Sequence, residues 1–465
     1  MSYSGNLLRQ ITNGKQAMAA RGQFSSKIGF LLAAAGSAVG LGNIWGFPTQ
    51  AASNGGAAFL LVYLILAFVL AYPALMAELT IGRYARANVV TALSQLHPSA
   101  LLKRTGFVVG LSALTVAVLI LSFYAIVAGW MLAEFLSPAA QLLQWGAGTN
   151  WLSTQGFGRN ALMCAVMSLA TIMIIARGVE QGIEAWSTRL MPALFLILLG
   201  MIIYVFTQPG ATTGLKAYLI PNLSQLGDPS LILSAMGQAF FSLSLGVGTM
   251  LIYGSYLRDT DNLPRMGAAV TLLDTGFAFT AGLLILPAIY VAQTKGITVF
   301  NDAGTLIAGP DLIFQVLPAL FDSMGAAGSW LALAFFALMS IAALTSAISL
   351  LEVPVSVAVE RWGFSRPLAA LFSGGIIFAI SLLIIWQFDA LFNGVITLTT
   401  VYGQPLLGVA LCLFAGWVMH RHQLLKELSN GHPEIESTWF WKLWPFYVKF
   451  ICPALILVTF LQSVR

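Results

Sequence analysis

The chain has 465 residues, 58% of them hydrophobic and only 8% charged, with a formal net charge of +5. Soluble domains carry roughly 25% charged residues and about 45–50% apolar ones, so a soluble enzyme is excluded. The positive balance is read as an excess of Lys and Arg in loops on one side of a membrane, not as a mark of nucleic-acid binding.

Residues 1–27 are polar and lack the apolar centre of a cleavable signal, so they read as a cytoplasmic N-terminal segment preceding an uncleaved first span. No Asp, Glu, Lys or Arg occurs at 28–77, 105–133, 323–351 or 390–420. A bilayer core needs about 20 apolar residues per helix. Charge and Pro/Gly punctuation predict eleven spans, at 28–52, 57–80, 107–136, 161–176, 190–207, 231–257, 266–292, 329–359, 368–387, 391–419 and 444–462. The fourth is short and must borrow flanking residues, and the eleventh contains Lys449. The chain divides accordingly into a five-helix unit at 28–207, an extracellular loop at 208–230 and a second five-helix unit at 231–419. A cytoplasmic loop at 420–443 and an eleventh helix with the C-terminus at 444–465 complete it.

With the N-terminus inside, seventeen basic residues fall in cytoplasmic segments. Only Arg159, Lys216, Lys295 and Arg465 fall outside, with Lys449 uncounted. The positive-inside rule then puts the N-terminus in the cytoplasm and, after eleven spans, the C-terminus outside. Cys164, Cys412 and Cys452 lie far apart in apolar runs without metal-ligand spacing and read as reduced packing residues.

Two spans read as broken. The first carries Gly29, Gly36, Gly40, Gly42 and Gly46 ahead of Pro48, and the sixth sets Gly246 and Gly248 beside Ser242 and Ser244. Glycine weakens a helix by about 1 kcal/mol per position relative to Ala, so such clusters mark where a helix can open. The two lie five spans apart. Five is odd, so the second group of five enters the membrane from the opposite face. Interrupted helices at matching places in two inverted halves point to a transporter site at the midplane.

The residues that carry these breaks resemble the sodium-coupled neurotransmitter and amino-acid symporters, the family with the LeuT fold. GSAVGLGNIWGFPTQAASNGGAAF at 36–59 is similar to the family's first-span signature. The match continues through YPALMAELTIGRYAR at 72–86, SFYAIVAGW at 122–130, QAFFSLSLGVGTMLIYGSYLRD at 238–259 and IAALTSAISLLEVP at 341–354. The resemblance implies an all-α polytopic membrane protein with a five-plus-five inverted repeat, discontinuous first and sixth spans and about eleven transmembrane helices. It also implies residence in the cytoplasmic (inner) membrane of a bacterium.

The resemblance implies two sodium sites. The first would take the carbonyl of Ala38 with the side chains of Asn43, Ser242 and Asp274, and would share the carboxylate of the solute, so that ion and solute stabilise each other's binding. The second would take the carbonyls of Gly36, Val39 and Ala342 with the hydroxyls of Thr345 and Ser346. Asp274 lies in the apolar run TLLDTGFAF, where a carboxylate is expensive unless paired or functional. Chloride-dependent relatives have a neutral residue there, so Asp274 is expected to make chloride unnecessary.

For the solute, the amides of Gly40 and Gly42 would face an anionic group, Tyr124 would meet its carboxylate, and Phe241 would close over it. Ala38 and Ser242 would border both ion and solute. Ser37, Ile120, Ser244, Val247, Ser346 and Leu350 would surround the side chain. Glycine at position 40 leaves the anion to the solute, and the lining favours a neutral, hydrophobic or aromatic amino acid. Arg21, Tyr256 and Glu360 resemble the family's cytoplasmic latch. Asp389 matches the acidic outer-gate position, but Gly46 stands where its basic partner is usual. Gly182 and Pro192 match a motif for local unwinding of the fifth span. Glu78 and Glu352 read as structural anchors.

The function expected is sodium-coupled import of such an amino acid by alternating access. The alternatives are another small zwitterion such as an amino sulfonate, or a solute-sensing receptor on the same fold. No nucleotide-binding glycine loop and no nucleophile–base set within the spans points to an ATPase or an enzyme. The partners expected are the solute and the bilayer, with the chain a monomer or weak homo-oligomer and no nucleic acid bound.

Overall fold

The structure, a computed structural model, describes residues 22–299, 307 and 311–464, apart from the side chain of Ala326. Backbone in a bilayer must satisfy its own hydrogen bonds, and the apolar runs do so as helices. Nine described helices are long and apolar enough to cross: Ala57–Ala85, Ala100–Leu142, Phe157–Ala176, Val179–Phe206, Leu263–Thr294, Ala327–Trp362, Arg366–Trp386, Phe388–Val418 and Trp439–Val464. Ahead of them stands a broken first span, Lys27–Ala38 and Gly42–Ser53, bent by 59°. The sixth span is also split, into Pro229–Ser242 and Thr249–Ser255. Together these make the eleven crossings the apolar runs predict.

Local chemistry explains the breaks. Ser26 caps the first half-helix by accepting from the Gly29 amide at 2.9 Å, and the helix ends where Val39 turns to ψ 88°. In the sixth span Ser244, Gly246 and Gly248 have φ of +52°, +81° and +83°, the left-handed region that glycine adopts most cheaply. Gly246 has a second constraint. A Cβ there would lie 2.2 Å from the Gln404 carbonyl oxygen of the tenth span.

The second span packs along both halves of the sixth, as the seventh packs along both halves of the first. The third crosses the eighth, and the fourth lies against the ninth. Two five-helix units inserted from opposite faces produce this exchange of partners.

Several ends differ from expectation. The fourth span starts at Phe157 rather than 161, because Arg159 is held inside the fold: its guanidinium lies 3.1 Å from Glu134 and donates to the Leu152 carbonyl at 2.9 Å. The fifth starts at Val179 rather than 190, because Glu184 is consumed at the tip of the first span, as described below. Lys449 is tolerated in the eleventh span because its ammonium sits 3.9 Å from the centre of the Trp417 ring, a cation–π contact.

Candidate functional site

The two openings face one cavity of about 100 Å³. All twelve residues expected around a solute line it, from Ser37, Ala38, Gly40 and Gly42 on the first span to Ser346 and Leu350 on the eighth. Its walls also include Leu41, Phe123, Ser349, Thr400 and Gln404, which the sequence reading missed. A polar Gln404 inside an otherwise apolar span was the available signal.

Most hydroxyls in the wall are engaged. Ser37 donates to Ser349 Oγ at 2.8 Å, Ser244 to the Ser37 carbonyl at 3.0 Å, and Ser346 to the Gly36 carbonyl at 3.4 Å. The Tyr124 hydroxyl is different: it is buried and has no hydrogen-bond partner among the described residues. It borders Gly40, where a Cβ would lie 3.2 Å from Tyr124 Oη and 2.7 Å from Ser346 Oγ. Glycine therefore keeps open the space in front of an unpaired donor.

Beside this space three spans bring polar side chains together. The Asn43 amide donates to Asp274 Oδ1 at 2.7 Å and to Ser242 Oγ at 3.0 Å, and Ser242 donates to Asp274 Oδ2 at 2.7 Å. Each of the three residues is at most 2% exposed. Tyr63 of the second span, another residue the sequence reading missed, donates to Ser242 Oγ at 3.4 Å. The last carbonyls of a helix lack intrahelical partners and carry its partial negative charge. Ala38, which ends the first half-helix, turns that end toward the same cavity. The buried Asp274 carboxylate, the Ser242 hydroxyl and a helix C-terminus are oxygen ligands suited to a hard monovalent cation, while Asn43 turns its amide nitrogen to the carboxylate and its oxygen to the Gly40 amide at 3.4 Å.

The chain matches the profile of the sodium:neurotransmitter symporter family over residues 21–161 and 152–465. It belongs to that family. Among its relatives, a sodium-dependent transporter of Bacillus subtilis, YhdH, is 33% identical over 95% of this chain and 97% of its own length. The human sodium- and chloride-dependent GABA transporter 2 is 26% identical over 95% of this chain and 80% of its own. Among solved structures, MhsT in complex with L-phenylalanine superposes with a TM-score of 0.79 at 37% identity, covering 95% of this chain and all of that one.

In this symporter the first and eighth spans also meet at Gly36, Thr345 and Ser346, three of the residues expected around a second ion, and Ser346 donates to the Gly36 carbonyl at 3.4 Å. A Cβ on Gly36 would lie 3.2 Å from Thr345 Cβ, so the first and eighth spans touch there. Thr345 Oγ1 donates to the carbonyls of Ala342 at 3.0 Å and Ile341 at 3.2 Å, and Val39 and Ala342 are fully buried.

On the symporter's basic face a cavity of about 920 Å³, lined by Asn88, Tyr256, Glu360 and Arg366, lies beside a tightly packed segment that leads into the first span. Phe24 is 3% exposed, with its ring against Phe30, Tyr253 and Tyr256. Glu184 accepts from the amide and hydroxyl of Ser25, at 2.6 and 2.7 Å, and from the hydroxyl of Ser26 at 2.9 Å. The sequence reading missed it, and Glu184 ties the fifth span to the tip of the first. Tyr256, which borders that cavity together with Glu360, donates to Glu352 at 2.5 Å, and Arg366 lies 2.6 Å from the other Glu352 oxygen. Glu352 is thus part of the closure as well as an anchor. Glu360 accepts from the Asn88 amide nitrogens of backbone and side chain at 2.7 and 2.8 Å. Arg21 lies outside the described residues. Glu78 accepts from the Gly246 amide at 2.7 Å, which holds the opened sixth span. Gly182 sits in a wide π turn at Val179–Glu184 and Pro192 inside the helix that follows, so this segment is wound in the structure.

At the opposite face Asp389 is exposed and makes no ion pair among the described residues. Gly46 faces Gln238, whose amide donates to the Gly42 carbonyl at 3.1 Å. Trp130 instead gathers Phe314, Phe388 and Phe392 at ring-centre distances of 6.1, 5.8 and 5.5 Å, joining the third and tenth spans and the loop helix at Leu312–Asp322. Phe241 remains 44% exposed.

Proposed function

We propose that the protein is a sodium-coupled symporter that imports a neutral amino acid by alternating access and works without chloride. The observation that carries this reading is that the Asn43–Ser242–Asp274 polar cluster borders, through Asn43 and Ser242, the cavity that holds the Tyr124 hydroxyl, which has no partner among the described residues. A buried polar group without a partner is costly, and a solute carboxylate between Tyr124 and Gly40 would relieve that cost. Asn43 and Ser242 belong to both the cluster and the cavity wall, so a cation held there would attract the same carboxylate. Each ligand then raises the other's affinity by the same factor, which is the thermodynamic basis of coupling.

Asp274 supplies the permanent negative charge that balances the first cation, which removes the need for a chloride ion. Gly36, Val39, Ala342, Thr345 and Ser346 serve as a second, neutral cage. The phenylalanine bound to MhsT supports an amino-acid solute. The apolar Ile120, Val247 and Leu350 in the wall support a hydrophobic or aromatic side chain.

In this reading the basic face is cytoplasmic, and inward opening releases Phe24 and the Glu184 clamp from the first half-helix. Outward closure brings Phe241 over the solute and relies on the Trp130 aromatic cluster rather than on an Asp389 ion pair. The test is uptake into liposomes. A sodium gradient should drive accumulation of a neutral amino acid in gluconate as well as in chloride, and accumulation without any sodium dependence would overturn the reading.

A further inference from the structure

The tenth span turns through a wide π segment, Thr397–Gly403, and delivers Gln404 to the cavity wall. The contact there is intimate: the Gln404 carbonyl sits where a side chain on Gly246 would be, so the tenth span presses on the opened strand of the sixth between Ser244 and Val247. Gln404 is 3% exposed. Its side-chain amide nonetheless makes no hydrogen bond with any described residue. The neighbouring hydroxyls are all engaged, Thr400 with the Ile396 carbonyl at 2.7 Å and Ser349 with the Ser346 carbonyl at 2.8 Å.

The cavity therefore holds two unspent polar side chains, on different walls. Tyr124 stands at Gly40, where the solute's carboxylate is placed. Gln404 lines the cavity from the tenth span, whose backbone at this residue packs on Gly246, next to Val247 and where the solute's side chain is placed. A carboxamide both donates and accepts, so it can pair with a hydroxyl or a ring N–H. A hydrocarbon side chain would bury it unpaired.

We infer that Gln404 is a specificity-determining residue that makes the pocket prefer amino acids whose side chain carries a hydrogen-bonding group, a phenol, an indole N–H or an alcohol, over their hydrocarbon counterparts. The inference rests on the amino-acid reading above and narrows it.

The experiment uses the full-length protein in liposomes and matched pairs that differ by one hydroxyl or its methyl replacement: tyrosine against phenylalanine, and threonine against valine. In the native protein each polar member should inhibit sodium-driven uptake at roughly tenfold lower concentration than its partner, the effect of one neutral hydrogen bond. In Gln404→Leu that ratio should fall to about one or invert, with uptake still driven by sodium. Equal potency within both pairs in the native protein would overturn the inference, and this outcome does not depend on how the variant folds. An unchanged ratio in Gln404→Leu would overturn it as well. Absence of inhibition by every amino acid, with sodium-driven transport of another solute, would instead reject the amino-acid reading itself.

Discussion

The Asn43 amide donates to Asp274 Oδ1 across 2.7 Å, joining the opened first span to the seventh where both are fully buried. Ser242 occupies the other carboxylate oxygen from the opened sixth span. Both interrupted helices are thus anchored on one charge, and in the proposed mechanism an ion bound there would act on both of them.

Replacing that charge should separate its roles. Asp274→Asn keeps the shape and removes the negative charge. Sodium affinity should fall roughly tenfold or more, since hydrogen bonds and contacts to a charged group contribute about 1.5–3 kcal/mol. Chloride should now stimulate uptake. The check is sodium titration in chloride and in gluconate. Unchanged sodium affinity together with indifference to chloride would show that Asp274 is only a packing carboxylate.

The Tyr124 hydroxyl has no partner among the described residues, so its removal should cost binding rather than stability. Tyr124→Phe is expected to leave the thermal midpoint of the solute-free protein unchanged. The apparent affinity for the amino acid should weaken by roughly tenfold or more, as for a lost charge-assisted bond. A lowered midpoint with unchanged affinity would place the hydroxyl in the fold.

Gly246 and Gly276 offer a contrast. A methyl at Gly246 meets the Gln404 carbonyl at 2.2 Å on a backbone with φ +81°, whereas a methyl at Gly276 meets nothing within 4 Å. Gly246→Ala should destabilise by several kcal/mol, combining overpacking with about 1–3 kcal/mol of backbone strain. Gly276→Ala should be neutral or slightly stabilising, because Ala is about 1 kcal/mol the better helix former. Thermal melts in detergent compare the two.

Glu184 holds the tip of the first span through hydrogen bonds to Ser25 and Ser26, and charge-assisted bonds of this kind contribute about 1.5–3 kcal/mol each. Glu184→Ala should loosen that tip. A cysteine at Ser25 should then react with a membrane-impermeant maleimide several times faster in the variant than in the parent, with bound sodium and solute slowing both. Equal rates would show that the clamp does not limit opening.

Much of this site was legible in the residues. Charge-free runs gave the spans, and the clustered glycines gave the two breaks, because a left-handed backbone at Gly246 and Gly248 has few alternatives. Asp274 stood out because an isolated carboxylate in an apolar run demands a reason. Gln404 carried a weaker mark of the same kind, a polar residue in an apolar span, whereas Tyr63 and Glu184 carried none. Tyr63 looks like any aromatic in an apolar helix, and Glu184 like an acid in the first turn of one. Their roles arise from pairings with Ser242, with Ser25 and with Gly246, each more than 150 residues away, which no local pattern encodes. Of the expected latch, Tyr256 and Glu360 border one cavity, and Tyr256 also donates to Glu352, a partner that lies 96 residues away and that no local pattern marks.

The most direct measurement is binding of a neutral amino acid to the purified protein, titrated against sodium with chloride replaced by gluconate. Binding should rise from background to saturation with sodium, should not rise with potassium or choline, and should be the same in both anions. Equal binding in potassium and sodium would contradict sodium coupling at the Asn43–Ser242–Asp274 cluster.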